Sequence, residues 1–200
     1  MNIAILGAGN IGRTMGIKWA KTGHRVVFGT RDANSAKAQA LRASLPNAEI
    51  ETVPHALKDA EVVLISLPFA AVAETVKTNA NALAGKIIMD ATNSFGAPVV
   101  NNLKTILDAV PTARVYRAFN SLGWEVFEHA NANSVEHFYC GQDDAARSIV
   151  EKLIAEIGVR PVWVGGHETI GIVDALGSLW VTLVFQRGYK RNIALRLSEA

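Results

Sequence analysis

The chain alternates short apolar runs with stretches in which apolar side chains recur every three or four positions. Asn2-Ile3-Ala4-Ile5-Leu6 is a run of the first kind, ends in glycines and predicts a strand. Ile11, Met15 and Trp19 recur at helical spacing and predict a helix over 11–21. Gly23 closes it, because glycine accepts the left-handed turn past a helix end. A strand over 24–28 follows, then a helix over 35–45 with Leu41 and Leu45 on one face, a short strand over 50–53 and a short exposed helix around His55. Residues 61–67, Glu-Val-Val-Leu-Ile-Ser-Leu, are apolar at both alternating sets of positions, so that strand is buried on both faces, and Pro68 ends it. The same reasoning predicts a helix over 70–83 carrying Val72, Val76 and Leu83, a strand over 86–90, a helix over 99–110 and a strand over 114–119. Beyond a loop rich in glycine and aromatics come a strand over 136–140, a helix over 143–157, a strand over 160–164 and an apolar helix over 169–185.

Strand–helix alternation with apolar strands implies an α/β, Rossmann-type doubly wound, mostly parallel sheet with a small C-terminal helical extension. The 200 residues contain no linker-like or repeated stretch and read as one domain, with a core over 1–120 and a sheet extension and helices over 121–200.

Gly7-Ala8-Gly9-Asn10-Ile11-Gly12 follows the first strand and opens the first helix. In that setting G-x-G-x-x-G indicates a dinucleotide rather than a plain glycine turn: Gly7 permits the tight turn, Gly9 lets a pyrophosphate approach the backbone, and Gly12 lets the helix pack on the strand. The helix N-terminus then offers unpaired N–H groups and a partial positive charge to the phosphates. The end of the second strand selects the dinucleotide. An NAD site usually carries Asp or Glu there, whereas this chain has Gly29-Thr30-Arg31. Glycine leaves room, Thr30 can donate, and Arg31 can form a bidentate pair with a 2′-phosphate, which indicates NADP(H). Lys37 is a further candidate cation, and Asp32 comes too late to be the strand-end acid.

In such sheets ligands lie beyond the carboxyl ends of the strands. Those ends carry Ser66-Leu67-Pro68, Ala91-Thr92-Asn93 and Asn120-Ser121. Pro68 stiffens its turn, Phe69 can flank a nicotinamide, and Thr92, Asn93 and Asn120 can hydrogen-bond a carboxamide or a substrate carbonyl; the same residue types also serve as turn formers and caps. No acid–base set, nucleophile motif or metal spacing emerges from His24, His55, His129, His137 and His167, so no catalytic residue and no metal ligand is assigned. Hydride transfer between a nicotinamide and a flavin-like ring needs positioning more than proton shuttling, and it suits that absence.

Composition narrows the partners. A formal charge of +2 without a Lys/Arg stripe gives no reason to expect nucleic acid. One cysteine, Cys140, within an apolar strand, reads as a buried structural thiol. Met1 leads directly into a strand, and the late apolar segment contains Asp174 and falls short of a bilayer span, so a cytoplasmic protein with no membrane is expected. The apolar face Ile172, Ala175, Leu176, Leu179, Trp180 and Leu183 suits the core or a homodimer interface, with Trp180 and Trp124 as candidates for stacking on a ring. The tail residues Arg187, Lys190, Arg191 and Arg196 suit either a solvated face or an anionic second cofactor.

These residues together carry a resemblance. The segment from Met1 to Gly12, then Gly29-Thr30-Arg31, Ser66-Leu67-Pro68, Asp90-Ala91-Thr92-Asn93 and Ala118-Phe119-Asn120, resembles the coenzyme F420-dependent NADP oxidoreductase family over nearly the whole chain. It is also similar to the NADPH-binding part of the STEAP metalloreductases. The resemblance implies a Rossmann fold whose C-terminal portion closes over a second ligand, and hydride transfer between NADP(H) and a deazaflavin. It implies Asn10 and Ile11 at the pyrophosphate, Thr30 and Arg31 at the 2′-phosphate, and Ser66, Leu67, Pro68, Thr92 and Asn93 near the nicotinamide. The deazaflavin reductases carry a histidine after the sixth strand where this chain has Asn120, which leaves the acceptor open among F420, FMN and FAD. Dehydrogenases of the β-hydroxyacid or imino-acid type open similarly but add a long helical domain, and a non-catalytic NADP(H) sensor would bind the cofactor tightly without turning over any acceptor. Arg31→Ala is expected to weaken NADPH binding far more than NADH binding, by about 1–3 kcal/mol in a fluorescence titration; equal losses for the two would remove the 2′-phosphate from Arg31.

Overall fold

The structure is a computed structural model that describes residues 1–45, 48–130 and 135–198, with the side chain of Lys37 outside the described residues. Its eight strands are β1 Asn2–Leu6, β2 Arg25–Thr30, β3 Glu49–Thr52, β4 Val62–Ile65, β5 Ile87–Asp90, β6 Arg114–Arg117, β7 Glu136–Gly141 and β8 Arg160–Trp163. They form one sheet in the order β3-β2-β1-β4-β5-β6-β7-β8. The first six follow the doubly wound order of the mononucleotide-binding pair. All neighbours pair in parallel except β6 and β7, where Tyr116 lies opposite Gly141 in an antiparallel register.

Strand alternation divides the core into two layers. Ile3, Ile5, Phe28, Leu64 and Met89 point to one face and meet Met15 and Trp19. Ala4, Leu6, Val27, Val63, Ile65 and Ile88 point to the other and meet Leu57, Val72, Val76 and Leu83. The helices are α1 Asn10–Lys21, α2 Ala36–Ser44, α3 Val53–Lys58, α4 Val72–Thr78, α5 Ala80–Leu83, α6 Leu103–Ala109, α7 Trp124–His129, α8 Ala145–Glu156 and α9 Ile170–Val181. Polar atoms tie α1 to the extension. The Trp19 indole N–H donates to the Leu153 carbonyl at 2.9 Å, and Lys18 Nζ donates to the carbonyls of Ala130 and Ile157, the residues that close α7 and α8.

Three sequence expectations change. The helix expected over 70–83 is interrupted at Asn79, whose side-chain amide donates to the Thr75 carbonyl and turns the chain between α4 and α5. The helix expected from 99 starts at Leu103, because the Asn101 side chain accepts from the Leu103 N–H while Val100 bonds back to Ser94. The last helix is longer than expected: His167–Gln186 is a continuous helical stretch of 20 residues, long enough by length and composition to cross a bilayer. Its Asp174 is instead buried against β6, which holds the helix on the sheet. Part of its apolar surface is uncovered, with Ile172 56% and Phe185 64% exposed.

His137 on β7 is fully buried, and burial pushes its imidazole down to about 3. The unfolded chain therefore binds a proton that the folded protein refuses between about pH 6.5 and pH 3. Stability should fall as pH is lowered through that window, by about 1.4 kcal/mol per pH unit at the steepest. Urea denaturation of the wild type and His137→Phe across pH 3.5–7 measures this, and the variant's curve should be flatter by that slope.

Candidate functional site

The carboxyl ends of β1, β2, β4, β5 and β6 open on one edge of the sheet. At the end of β1, three glycines do two different jobs. Gly7 has φ 109, and a Cβ on it would come within 2.5 Å of the Ser66 carbonyl oxygen; a Cβ on Gly12 would overlap the Gly7 carbonyl. Ser66 Oγ donates to that carbonyl at 2.9 Å. The fold itself therefore demands Gly7 and Gly12. Gly9 is different: it is extended, exposed, and nothing lies within 4 Å of where its Cβ would be. It caps α1 without a side-chain hydrogen bond, and no acidic residue sits in the first turn. The amides of Asn10, Ile11 and Gly12 thus have no intrahelical acceptor, and the positive end of α1 opens to solvent.

At the end of β2, Gly29 lies beneath Leu6 and Ala56, a Cβ there falling 2.6 Å from Leu6 Cδ2. The expectation that this glycine leaves room for a ligand is corrected: it lets α3 pack on the sheet. Thr30 Oγ1 donates to the Glu51 carbonyl at 3.2 Å. Arg31 is exposed and forms no hydrogen bond or ion pair among the described residues. Asp32 is turned into its own loop, accepting from the Asn34 N–H at 2.8 Å, while Ser35 caps α2.

Ser66, Leu67 and Pro68 follow β4, with Ser66 and Leu67 half-buried and Pro68 exposed ahead of a 3-10 turn at Phe69–Ala71. Thr92 and Asn93 follow β5, but their side chains are already engaged. Thr92 Oγ1 donates to Asp90 Oδ1 at 2.6 Å and accepts from Asn102 Nδ2 at 2.9 Å. Asn93 Nδ2 donates to the Asn120 carbonyl at 3.0 Å, and its Oδ1 accepts from Arg117 Nη2 at 2.7 Å.

The centre of this arrangement is a residue set that the sequence reading passed over. Arg117, 2% exposed, donates from Nε to Asp174 Oδ1 at 2.9 Å and from Nη1 to Asp90 Oδ2 at 3.3 Å and to the carbonyls of Asp90 and Thr92. Asp174 Oδ2 accepts from Asn101 Nδ2 at 2.6 Å. A buried guanidinium is tolerable because it meets acceptors on three elements, β5, the 91–93 turn and α9. One signal was visible: an arginine at the end of the apolar strand 114–117, with the lone charge of an apolar helix at Asp174.

The C-terminal tail closes on α9. Arg191 Nε donates to Glu125 Oε1 at 2.5 Å and lies over the Trp180 ring at 5.1 Å, and Trp180 meets Phe185 edge-on. Arg191 is therefore already paired. Between the tail and α9 a shallow apolar recess of about 50 Å³, lined by Leu122, Leu176, Trp180 and Leu183, begins beside Ser121. Burial raises the Cys140 thiol to about 11, that of an inert structural cysteine. His167 is spent on the Val115 carbonyl at 2.8 Å. Among the described residues no cluster of His, Cys, Asp or Glu is arranged to hold a metal.

Residues 2–94 match the family model described as NADP oxidoreductase, coenzyme F420-dependent. The chain is 27% identical to the F420-dependent NADP reductase of Methanocaldococcus jannaschii, covering 92% of each chain. It is 24% identical to metalloreductase STEAP3 of Rattus norvegicus, over 87% of this chain and 36% of that one. A crystal structure provisionally described as an F420-dependent NADP reductase of an Arthrobacter species superimposes over the full length of both chains with TM-score 0.84 and 25% identity.

The contrast between the glycines is testable. Gly9→Ala should cost at most about 1 kcal/mol of stability yet weaken NADPH binding at least tenfold. Gly12→Ala should lose stability first, since its Cβ meets backbone. Paired urea denaturation and NADPH fluorescence titrations separate the two effects.

Proposed function

We propose that the chain is an NADP(H)-dependent reductase that passes hydride between NADPH and a flavin-like ring, with coenzyme F420 the first candidate and FMN or FAD the others. The observation that carries this is Gly9. The fold leaves an open space at an unneutralised helix end that a side chain would fill, and a pyrophosphate suits it. In this reading Gly7, Gly9, Asn10, Ile11 and Gly12 hold the pyrophosphate, and Thr30 and Arg31 hold the 2′-phosphate. Ser66, Leu67, Pro68, Thr92 and Asn93 shape the nicotinamide end, Thr92 and Asn93 through the backbone of their turn because their side chains are engaged. The named relatives support the NADP half and the F420 preference.

The chemistry asks little of side chains. The reduced nicotinamide gives up a hydride, one proton with two electrons, and leaves as NADP⁺; the oxidised ring accepts it, and solvent supplies one proton to complete the dihydro ring. No buried acid is required, and rate depends on holding two planar rings at the right separation. The shallow apolar recess beside Trp180 offers an acceptor ring a surface to lie against rather than a cavity to enter. The uncovered apolar row Ile172, Leu179 and Phe185 on α9 and the helical turn beyond it suits a second copy of the chain, giving a homodimer in the cytoplasm.

The test is anaerobic. NADPH and protein are mixed with F420, FMN or FAD in separate cuvettes and the absorbance of each acceptor is followed. Bleaching of F420 alone is expected; bleaching of FMN or FAD alone would move the acceptor to flavins. If no acceptor bleaches although NADPH fluorescence shows binding, the ring-reductase reading fails in favour of a small-substrate dehydrogenase or a sensor.

A further inference from the structure

At the end of β6 the alternation of side chains breaks. Tyr116 joins one core layer, Arg117 points away from it, and then Ala118 and Phe119 both return to the layer of Tyr116. The cause is Phe119, which has φ 63 and is the single positive-φ residue other than glycine among the described residues. For an aromatic residue that backbone costs about 1–3 kcal/mol and persists only where its surroundings impose it.

One side chain imposes it. The Phe119 N–H donates to His137 Nε2 at 2.7 Å, and the two rings stack at 5.0 Å and 7°. Phe127 packs edge-on against both rings. Because Nε2 accepts, the imidazole carries its proton on Nδ1, which is buried without a partner. Burial pushes the imidazole down to about 3, so the ring is neutral near pH 7. A buried histidine that leaves one nitrogen unsatisfied to serve a backbone N–H is an expensive choice for a core position; a phenylalanine would fill the same aromatic cluster without an orphaned nitrogen.

What the kink accomplishes is the placement of the next residue. Asn120, 3% exposed, becomes a strut between the two walls of the carboxyl edge: its carbonyl accepts from Asn93 Nδ2 at 3.0 Å, and its amide reaches the Val173 carbonyl at 3.4 Å. Gly177 of α9 lies so close to the Asn120 carbonyl that a Cβ there would sit 3.1 Å away. We propose that His137 is a positioning residue, which holds Phe119 in its left-handed turn and so fixes, through Asn120, the separation between the nicotinamide side of the cleft at Asn93 and α9. The consequence for hydride transfer rests on the reductase reading above; the mechanical link from His137 to α9 does not. The pyrophosphate and 2′-phosphate contacts lie at the other end of the edge, so His137 should govern transfer and leave nucleotide affinity alone.

Two measurements on the full chain test this. His137→Leu should keep the Kd for NADPH within twofold of wild type while single-turnover hydride transfer to the acceptor that wild type reduces falls at least tenfold. His137→Gln, whose amide oxygen can accept the Phe119 N–H, should recover at least a third of the wild-type rate. Asn120→Ala should reproduce the loss, and the His137→Leu/Asn120→Ala double variant should be no slower than Asn120→Ala. Transfer unchanged in folded His137→Leu, a parallel loss of NADPH affinity, or additive losses in the double variant would overturn the proposal. If His137→Leu does not fold, Asn120→Ala decides: unchanged transfer overturns the proposal and the same split upholds it. If wild type reduces none of the three acceptors, the reductase reading fails, and amide hydrogen exchange decides the link alone. Faster exchange over 170–176 in His137→Leu but not in His137→Gln supports it, and equal exchange in all three proteins overturns it.

Discussion

The guanidinium of Arg117 is the interaction on which the rest of the carboxyl edge depends. It lies in the sheet interior with carboxylates on two sides, Asp90 from β5 and Asp174 from α9, and with the carbonyl of Thr92 and the amide oxygen of Asn93 completing its shell. A buried charge of this kind adds little net stability over a well-packed apolar residue, but removing one partner leaves another charge uncompensated, at a cost of about 3–5 kcal/mol. Its value is geometric. A helix as apolar as α9 could slide on a greasy surface, whereas one pinned by Asp174 to a particular guanidinium has one register against the sheet.

That pinning explains how the polar residues of the edge divide. Those around Arg117 are spent on one another: Thr92, Asn93, Asn101 and Asn102 all face inward to complete the network. Those at the far end are left free, with Gly9 open, the first amides of α1 without acceptors and Arg31 unpaired among the described residues. One end of the edge is thus braced by its own side chains, and the other is open and electropositive.

Much of this was legible in the chain because it is local. The strand–glycine–helix sequence of residues 2–21 places the glycine turn and the open helix end without reference to anything distant, and Thr30-Arg31 falls at the end of the next strand as its spacing predicts. The apolar periodicities gave the doubly wound sheet for the same reason. The polar network was not legible, because its members are far apart in sequence: Arg117 and Asp90 are separated by 27 positions and Arg117 and Asp174 by 57. Thr92 and Asn93 look alike as ligand donors or as internal braces until Asn102 and Arg117 are seen beside them. Gly29 misled for a similar reason, since the side chains that crowd it come from β1 and α3. The helix start at Leu103 and the break at Asn79 moved because asparagine side chains compete locally with the backbone, which hydrophobic spacing does not register.

The most direct test of the account is a crystal structure of the NADP⁺ complex. The 2′-phosphate should lie against Arg31, the pyrophosphate on the amides of residues 10–12 over Gly9, and the nicotinamide between Pro68 and the 91–93 turn, with the Arg117 network unchanged. A nucleotide that runs in the opposite direction, or that binds away from Gly9, would contradict it.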